Sequence, residues 1–246
     1  MQDVQAAAQG WSLTLGEPFE PGVGGYTTRA ALSDGTPAVL KLVQPHRESE
    51  HEADALRAWD GDGAIRLLAR NGDALLLERC EPGTPLSAVG RDEALGVLIE
   101  LLPRLCRSAG EPFRTLADEA AWWFPNLPRT RLGDAAREAI ESLADTQGEQ
   151  VLLHQDLHGD NVLAAQREPW LVIDPKPLVG EREFAVAPIV RSRELGETKR
   201  DVLYRFDRLT AELGLDRERA RGWTIAQTVA WSNGPWHDRV AEWLLP

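Results

Sequence analysis

The stretch Glu81-Pro-Gly-Thr-Pro-Leu86 divides the chain into two parts of different periodicity. Proline lacks an amide hydrogen and glycine takes positive φ freely, so Pro-Gly stops regular structure. Before this point, short apolar runs alternate with turn signals. Val23 to Leu32 is rich in β-branched and aromatic residues, Asp34-Gly35 is a hairpin signal, and Ala38 to Val43 follows as a second strand. Ile65 to Leu68 and Ala74 to Leu77 read as two more strands, turned by Asn71-Gly72-Asp73. One helix interrupts them, Glu48 to Trp59, with Ala55, Leu56 and Trp59 at helical spacing. After the punctuation the pattern becomes helical. Glu93 to Cys106 is densely apolar, with a kink expected at Pro103. Asp134 is the expected N-cap of a helix ending near Leu143. Val202 to Leu213 forms another, closed by Gly214, and Asp216 caps the helix containing Trp223, Ile225 and Val229. The expected fold class is α+β: a small β-rich lobe over residues 1–81 and a larger, mainly helical lobe over residues 82–246.

The chain has 246 residues, 43% of them hydrophobic, enough for a sizeable core. The net charge of −12 argues against nucleic acid and anionic membrane as partners, because both need a basic face. It is compatible with a cationic small molecule, although solubility alone accounts for it. Cys80 and Cys106 lack metal-type spacing and imply a reducing compartment. The opening residues lack the basic and apolar regions of a signal peptide, and no apolar run approaches the ~20 residues of a membrane span. The expected location is the cytoplasm.

Val151 to Pro175 is the exception within the helical part. Two short apolar runs, VLLH and WLVID, each deliver polar residues at their ends. His154-Gln-Asp156-Leu-His-Gly-Asp-Asn161 has the H-x-D-x-x-x-x-N spacing of a kinase catalytic loop, and Asp174 ends the next strand. Phosphoryl transfer explains two carboxylates and an amide. A base, Asp156, accepts the proton of an acceptor hydroxyl. Asn161 and Asp174 supply the oxygen ligands that Mg²⁺ requires when it offsets the charge of ATP. Asp and Asn are also common turn residues, so the motif needs support from elsewhere in the chain. Lys41 supplies it. It lies within the apolar strand AVLKL, is one of three lysines, and would be costly there without a partner. Glu52, eleven residues on in the first helix, is a candidate partner, with Glu48, Glu50 and Asp54 as neighbouring competitors and a surface salt bridge as the plainer reading; a strand lysine held by a helix glutamate would hold the nucleotide phosphates. Gly22, Gly24 and Gly25 are candidates for covering the phosphates with backbone amides, although Thr27 breaks the full glycine pattern. No P-loop motif occurs. Glu78 and Cys80, at the junction of the two parts, are candidates for meeting the adenine. His154 and His158 lack a third ligand for zinc. The nine tryptophans, Trp122, Trp123, Trp231, Trp236 and Trp243 among them, read as packing residues more readily than as a sugar platform. Lys176 is either a phosphate contact or a surface residue.

With these residues in hand, the chain resembles the aminoglycoside phosphotransferase family, in the branch containing streptomycin 6-kinases and hydroxyurea phosphotransferases. The resemblance rests on DGTPAVLKL, EADALRAWDGDGAIRLLA, LLLERCEPGTPL, LLHQDLHGDNVL and WLVIDPKPLVGEREF. It implies a bilobal protein-kinase-like fold and Mg-ATP-dependent phosphorylation of a small-molecule hydroxyl. By position it makes Asp156 the catalytic aspartate, Asn161 and Asp174 the metal ligands, and Lys41 with Glu52 the phosphate clamp. Three departures stand out. Gln155 replaces the usual glycine, Asp160 adds a carboxylate beside the metal site, and Ala185 follows Phe184 where the family has aspartate. A metabolite kinase with a non-antibiotic acceptor, or a nucleotide-binding pseudokinase, are the competing readings.

Overall fold

The computed structural model describes residues 4–19 and 25–246. They form two units, one of residues 4–19 and 25–84 with 163–176, the other of 85–162 with 177–246.

The first unit begins with α1 (Val4–Gly10) and the strands β1 (Thr14–Pro18), β2 (Gly25–Ala31) and β3 (Pro37–Val43). Then come α2 (Glu52–Trp59), β4 (Leu67–Asn71) and β5 (Ala74–Glu78). The strands make one antiparallel sheet of order β1-β2-β3-β5-β4. Side chains alternate across a sheet, so its register decides what each face carries. Ala38, Leu40 and Leu42 of β3 pack with Ala30, Ala74, Leu76 and the α1 residues Ala7 and Ala8 in one apolar cluster. Lys41 lies between Leu40 and Leu42 and therefore points to the opposite face, opposite Thr27 on β2 and Leu75 on β5. A slip of one residue would bury it in the apolar cluster. Gly25 begins β2 at φ +128°, and a Cβ there would lie 2.1 Å from the Leu42 carbonyl oxygen, so this close approach of β2 to β3 requires glycine.

The second unit contains α3 (Arg91–Leu105), α4 (Leu116–Trp123), α5 (Arg131–Leu143) and β6 (Gln150–His154). The chain then forms the short strands β7 (Val162–Ala164) and β8 (Trp170–Val172), which pair with each other, and β9 (Pro177–Glu181), which pairs antiparallel with β6. It ends with α6 (Ala187–Arg191), α7 (Lys199–Glu212), α8 (Arg217–Ala230) and α9 (Pro235–Leu244). α8 is the central helix, with Trp223 to Val229 buried without interruption. Asp216 caps it as expected, its carboxylate accepting from the amides of Glu218 and Arg219. α5 differs from expectation. Its N-cap is Thr130, which accepts from the Gly133 amide, while Asp134 lies in the first turn and pairs with Arg137. Gly133 makes this earlier start possible, because a Cβ there would meet the Pro128 carbonyl oxygen at 1.8 Å. Pro103 lies inside the last turn of α3.

The sequence reading puts residues 82–246 in one continuous lobe. In the structure the division falls after Thr84, and residues 163–176 belong to the first unit. Main-chain bonds hold them there: Ile65 N to Val172 O, Val172 N to Gly63 O, and Ala164 N to Thr84 O, all near 3.0 Å. Arg167 adds bonds to Glu78 Oε1 (2.8 Å) and to the Gly61 and Ala64 carbonyls. No described helix is long and apolar enough to cross a membrane.

In the second unit, α8 is tied to β9 by one buried carboxylate. Glu181 accepts from Arg219 Nε (2.9 Å) and Nη2 (2.9 Å), from the Trp223 indole, and from the Gly148 amide (3.2 Å). Glu181→Ala leaves a buried indole N–H without its acceptor and strips the carboxylate from Arg219, which keeps only its bonds to Thr146 among the described residues. It is expected to destabilise the protein by about 3 kcal/mol. Chemical denaturation measures this, and a loss under about 1 kcal/mol would show that the network does not anchor the helix.

Candidate active site

The first unit builds one cluster of four charges. β3 presents Lys41, which is 7% exposed, to α2, whose first turn carries Glu52, 2% exposed. Lys41 Nζ donates to Glu52 Oε1 and Oε2 at 2.7 and 2.8 Å, and to Asp174 Oδ1 at 2.5 Å. Asp174 follows β8, whose main-chain bonds to residues 63–65 fix its approach. It adopts φ +52°, a left-handed conformation that aspartate tolerates better than most residues. Its second oxygen, Oδ2, accepts from Lys176 Nζ at 2.7 Å. Two cations thus face two carboxylates. Burial alone would lower the Lys41 pKa, but the Glu52 and Asp174 carboxylates outweigh it and raise it, so the ammonium stays charged. Burial would raise Asp174, but Lys41 and Lys176 hold its carboxyl well below the usual range.

The second unit builds the loop after β6. Asp156 N donates to His154 Nδ1 at 3.3 Å, which gives this histidine a structural place. Asp156 Oδ1 accepts from Arg191 Nη2 at 2.9 Å. The Arg191 guanidinium lies 4.7 Å from the centroid of the Trp231 ring, and its carbonyl accepts from Trp236 Nε1. Asn161 Nδ2 donates to the Asp156 carbonyl oxygen at 2.8 Å, so the motif's amide and carboxylate belong to one local structure. Glu194 Oε1 lies 3.2 Å from His158 Nδ1 and accepts from the Gly159 amide at 2.9 Å. Burial works against the charge on each of these two. Their mutual hydrogen bond prevails, raising the His158 pKa and lowering Glu194 to about 2. Gly159 passes so close to Ser87 that a Cβ would meet the Ser87 amide nitrogen at 3.0 Å. Asp160 accepts from the Ser87 hydroxyl.

Other expected residues have their own settings. Gly22 and Gly24 lie outside the described residues; Gly25 begins β2. The Glu78 carboxylate is engaged by Arg167 and by the Arg66 amide. Cys80 is half-buried, and burial pushes its thiol up to about 12. Lys176 is buried and bonded to Asp174. Trp123 and Trp236 are buried, while Trp122 is exposed. Gln155 is 1% exposed, and neither polar atom of its side chain has a partner among the described residues. Its carbonyl accepts from Gln227 Nε2 of α8 at 2.8 Å. Arg191, Glu194 and Gln227 were invisible in the sequence. No motif surrounds them, and with Lys+Arg totalling 27 and only three lysines, one arginine does not stand out.

Solved structures define the class. A choline kinase from Streptococcus pneumoniae superposes with a TM-score of 0.68 at 14% identity, covering 98% of both chains, and has also been solved with AMP. The architecture is the bilobal protein-kinase-like fold. Sequence then narrows it: over residues 19–240 the chain matches the aminoglycoside/hydroxyurea antibiotic resistance kinases, and it belongs to that family. It is 43% identical to a hydroxyurea phosphotransferase of Kitasatospora aureofaciens, over 96% of this chain and 72% of that protein. It is 40% identical to a streptomycin 6-kinase of Streptomyces griseus, over 89% of this chain and 77% of that one. The chain is a phosphotransferase with an alcohol group as acceptor.

Two measurements test this geometry. The His158 pKa is raised above 6.5 in the folded protein, so its contribution to stability is complete below that value and is lost as pH rises through the folded pKa. Glu194 contributes above 4.5 and loses its contribution as pH falls towards about 2. The stability gap between wild type and His158→Gln should be widest between about pH 4.5 and 6.5 and should shrink on the alkaline side. A gap independent of pH would contradict the pairing. Replacing an unsatisfied buried amide by an apolar group of similar shape removes a desolvation penalty, so Gln155→Met should be neutral or stabilising by up to about 1 kcal/mol. A larger loss would show that ordered water satisfies the amide.

Proposed function

We propose that the chain transfers the γ-phosphoryl group of ATP to a hydroxyl of a small antibiotic-like molecule, an aminoglycoside such as streptomycin being the leading candidate. One observation carries this reading: Lys41 is shared between Glu52 and Asp174. A buried lysine held by a helix carboxylate is suited to the α- and β-phosphates of a nucleotide. A carboxylate that two ammonium groups hold is suited to exchange them for phosphate-bound metal.

The donor set fits Mg²⁺. Asp174 offers carboxylate oxygens, and Asn161, whose Nδ2 is spent on the Asp156 carbonyl, offers its side-chain Oδ1. Mg²⁺ held by such oxygens would offset the charge of the triphosphate. Asp156 is the base. Arg191 holds its Oδ1, which leaves Oδ2 to take the proton of the acceptor hydroxyl. The acceptor oxygen bonds to the γ-phosphorus as the bond to the bridging oxygen breaks, and ADP leaves. Gly25 and the Glu78–Cys80 segment are assigned to the phosphate and adenine sides of the nucleotide, with Gly22 and Gly24. The relatives' names frame the acceptor class, and the 43% identity to a hydroxyurea phosphotransferase puts a much smaller acceptor beside streptomycin.

ATP consumption with Mg²⁺ against streptomycin, other aminoglycosides, hydroxyurea, sugars and amino alcohols tests the proposal. One acceptor should stimulate turnover. Asp156→Ala should lower that turnover by about 10²–10⁴-fold with the fold intact. Asp174→Ala should abolish Mg²⁺-dependent nucleotide binding. Nucleotide binding with no acceptor-dependent turnover would favour a regulatory module over an enzyme of this class.

A further inference from the structure

Two of the side chains that brace the Asp156 loop from outside it come from one short segment. Arg191 reaches Asp156, and Glu194 reaches His158 and the Gly159 amide. The segment, residues 190–196, joins α6 to α7 and contains little regular structure of its own. One side chain of α7 gathers four of its main-chain carbonyls. Arg205 is 1% exposed and spends its guanidinium entirely on main-chain carbonyls of this segment. Nε donates to Val190 O at 2.8 Å and Nη2 to the same oxygen at 2.6 Å. Nη2 also donates to Ser192 O at 2.8 Å, and Nη1 to Leu195 O and Gly196 O at 3.1 and 2.9 Å.

This is an unusual use of a buried charge. Burial pulls the Arg205 pKa down to about 10, so the group remains a cation at neutral pH. Among the described residues no carboxylate is hydrogen-bonded to it, and Glu194 and Asp201 act on it only through their charge. A buried arginine without a bonded counter-ion is expensive, and an apolar side chain would fill its place at lower cost. What an apolar residue cannot do is bind four carbonyls through a rigid planar fork. Those four carbonyls belong to residues 190, 192, 195 and 196, which enclose both bracing residues. Gly196 fits the same constraint. It sits at φ +107°, and a Cβ there would lie 2.6 Å from the Asp201 carboxyl carbon.

We propose that Arg205 is a positioning residue for phosphoryl transfer: by fixing the carbonyls of 190–196 it aims Arg191 at Asp156 and Glu194 at Gly159. It thereby sets the direction of the catalytic carboxylate without touching it. The proposal rests on Asp156 being the base. Because Arg205 acts through Arg191 and Glu194, its effect vanishes when they are removed. A residue that merely stabilises the helical unit would lack this dependence.

The test is a mutant cycle with Arg205→Lys, which keeps the cation and loses the fork, in wild-type and in Arg191→Ala/Glu194→Gln backgrounds. Turnover is measured with streptomycin or hydroxyurea, whichever the wild-type enzyme phosphorylates, after thermal melting confirms folding. In the wild-type background kcat should fall at least tenfold, with KM for ATP changed less than threefold. In the double-variant background Arg205→Lys should change kcat less than twofold. An unaltered kcat in the first background, or an equal loss in both, overturns the proposal. Asp156→Ala is measured in parallel. If it retains turnover, the assignment of the base is what fails, whatever Arg205 does. Hydrogen exchange gives a readout independent of turnover and of the acceptor. In Arg205→Lys, or in Arg205→Gln should the lysine variant not fold, peptides covering 157–161 and 190–196 should exchange at least tenfold faster. Those covering 150–154 of β6 should be unchanged. Uniform protection across all three would overturn the proposal as well.

Discussion

A buried lysine ammonium shared by two carboxylates is the constraint on which the first unit depends. Lys41 cannot sit in an apolar strand without partners, since an unpaired buried charge would cost several kcal/mol. Glu52 must therefore lie on the α2 face of the sheet, and the register of β2, β3 and β5 must turn Lys41 towards it. Asp174 must arrive from more than a hundred residues away, on a strand bonded to residues 63–65. Ion pairs of this kind are weak stabilisers, because removing the charges from water offsets most of their attraction. An apolar trio would fold as well. Under the proposed function, the cluster is where a polyanion and a cation would bind, at a place whose desolvation cost the fold has already met.

The second unit solves a different problem. The Asp156 loop has few ladder hydrogen bonds of its own, so its shape comes from groups around it. His154, Asn161 and Gln227 fix its main chain, Arg191 fixes the carboxylate, and Glu194 fixes the turn at Gly159. Most of these partners are charged or carry rigid planar groups, which limits the orientations the loop can adopt. The same rigidity leaves room for local conflict. Gln155, where the family usually has glycine, is buried with an unsatisfied amide directly beside Asp156. Asp160 is drawn to Ser87.

Much of this was legible in the sequence because it follows short-range rules. The alternation in AVLKL marked Lys41 as a buried charge, and Glu52 lay one helix away. The spacing from His154 to Asn161 and the strand before Asp174 marked the loops. What stayed hidden depends on contacts distant in sequence. Residues 163–176 join the first unit through main-chain hydrogen bonds, which any sequence can make. The start of α5 at Thr130 depends on Gly133 clearing the Pro128 carbonyl, which outweighed the good capping character of Asp134. Arg191 and Arg205 each look like any other arginine until the fold shows that one holds a carboxylate and the other four carbonyls.

A crystal structure with Mg²⁺ and the non-hydrolysable analogue AMP-PNP tests the central claim most directly. Lys41 Nζ should keep Glu52, leave Asp174, and bond to an α- or β-phosphate oxygen, while an Asp174 oxygen enters the metal's coordination sphere at about 2.1 Å. A nucleotide bound elsewhere, with the Lys41–Asp174 contact intact, would contradict the account.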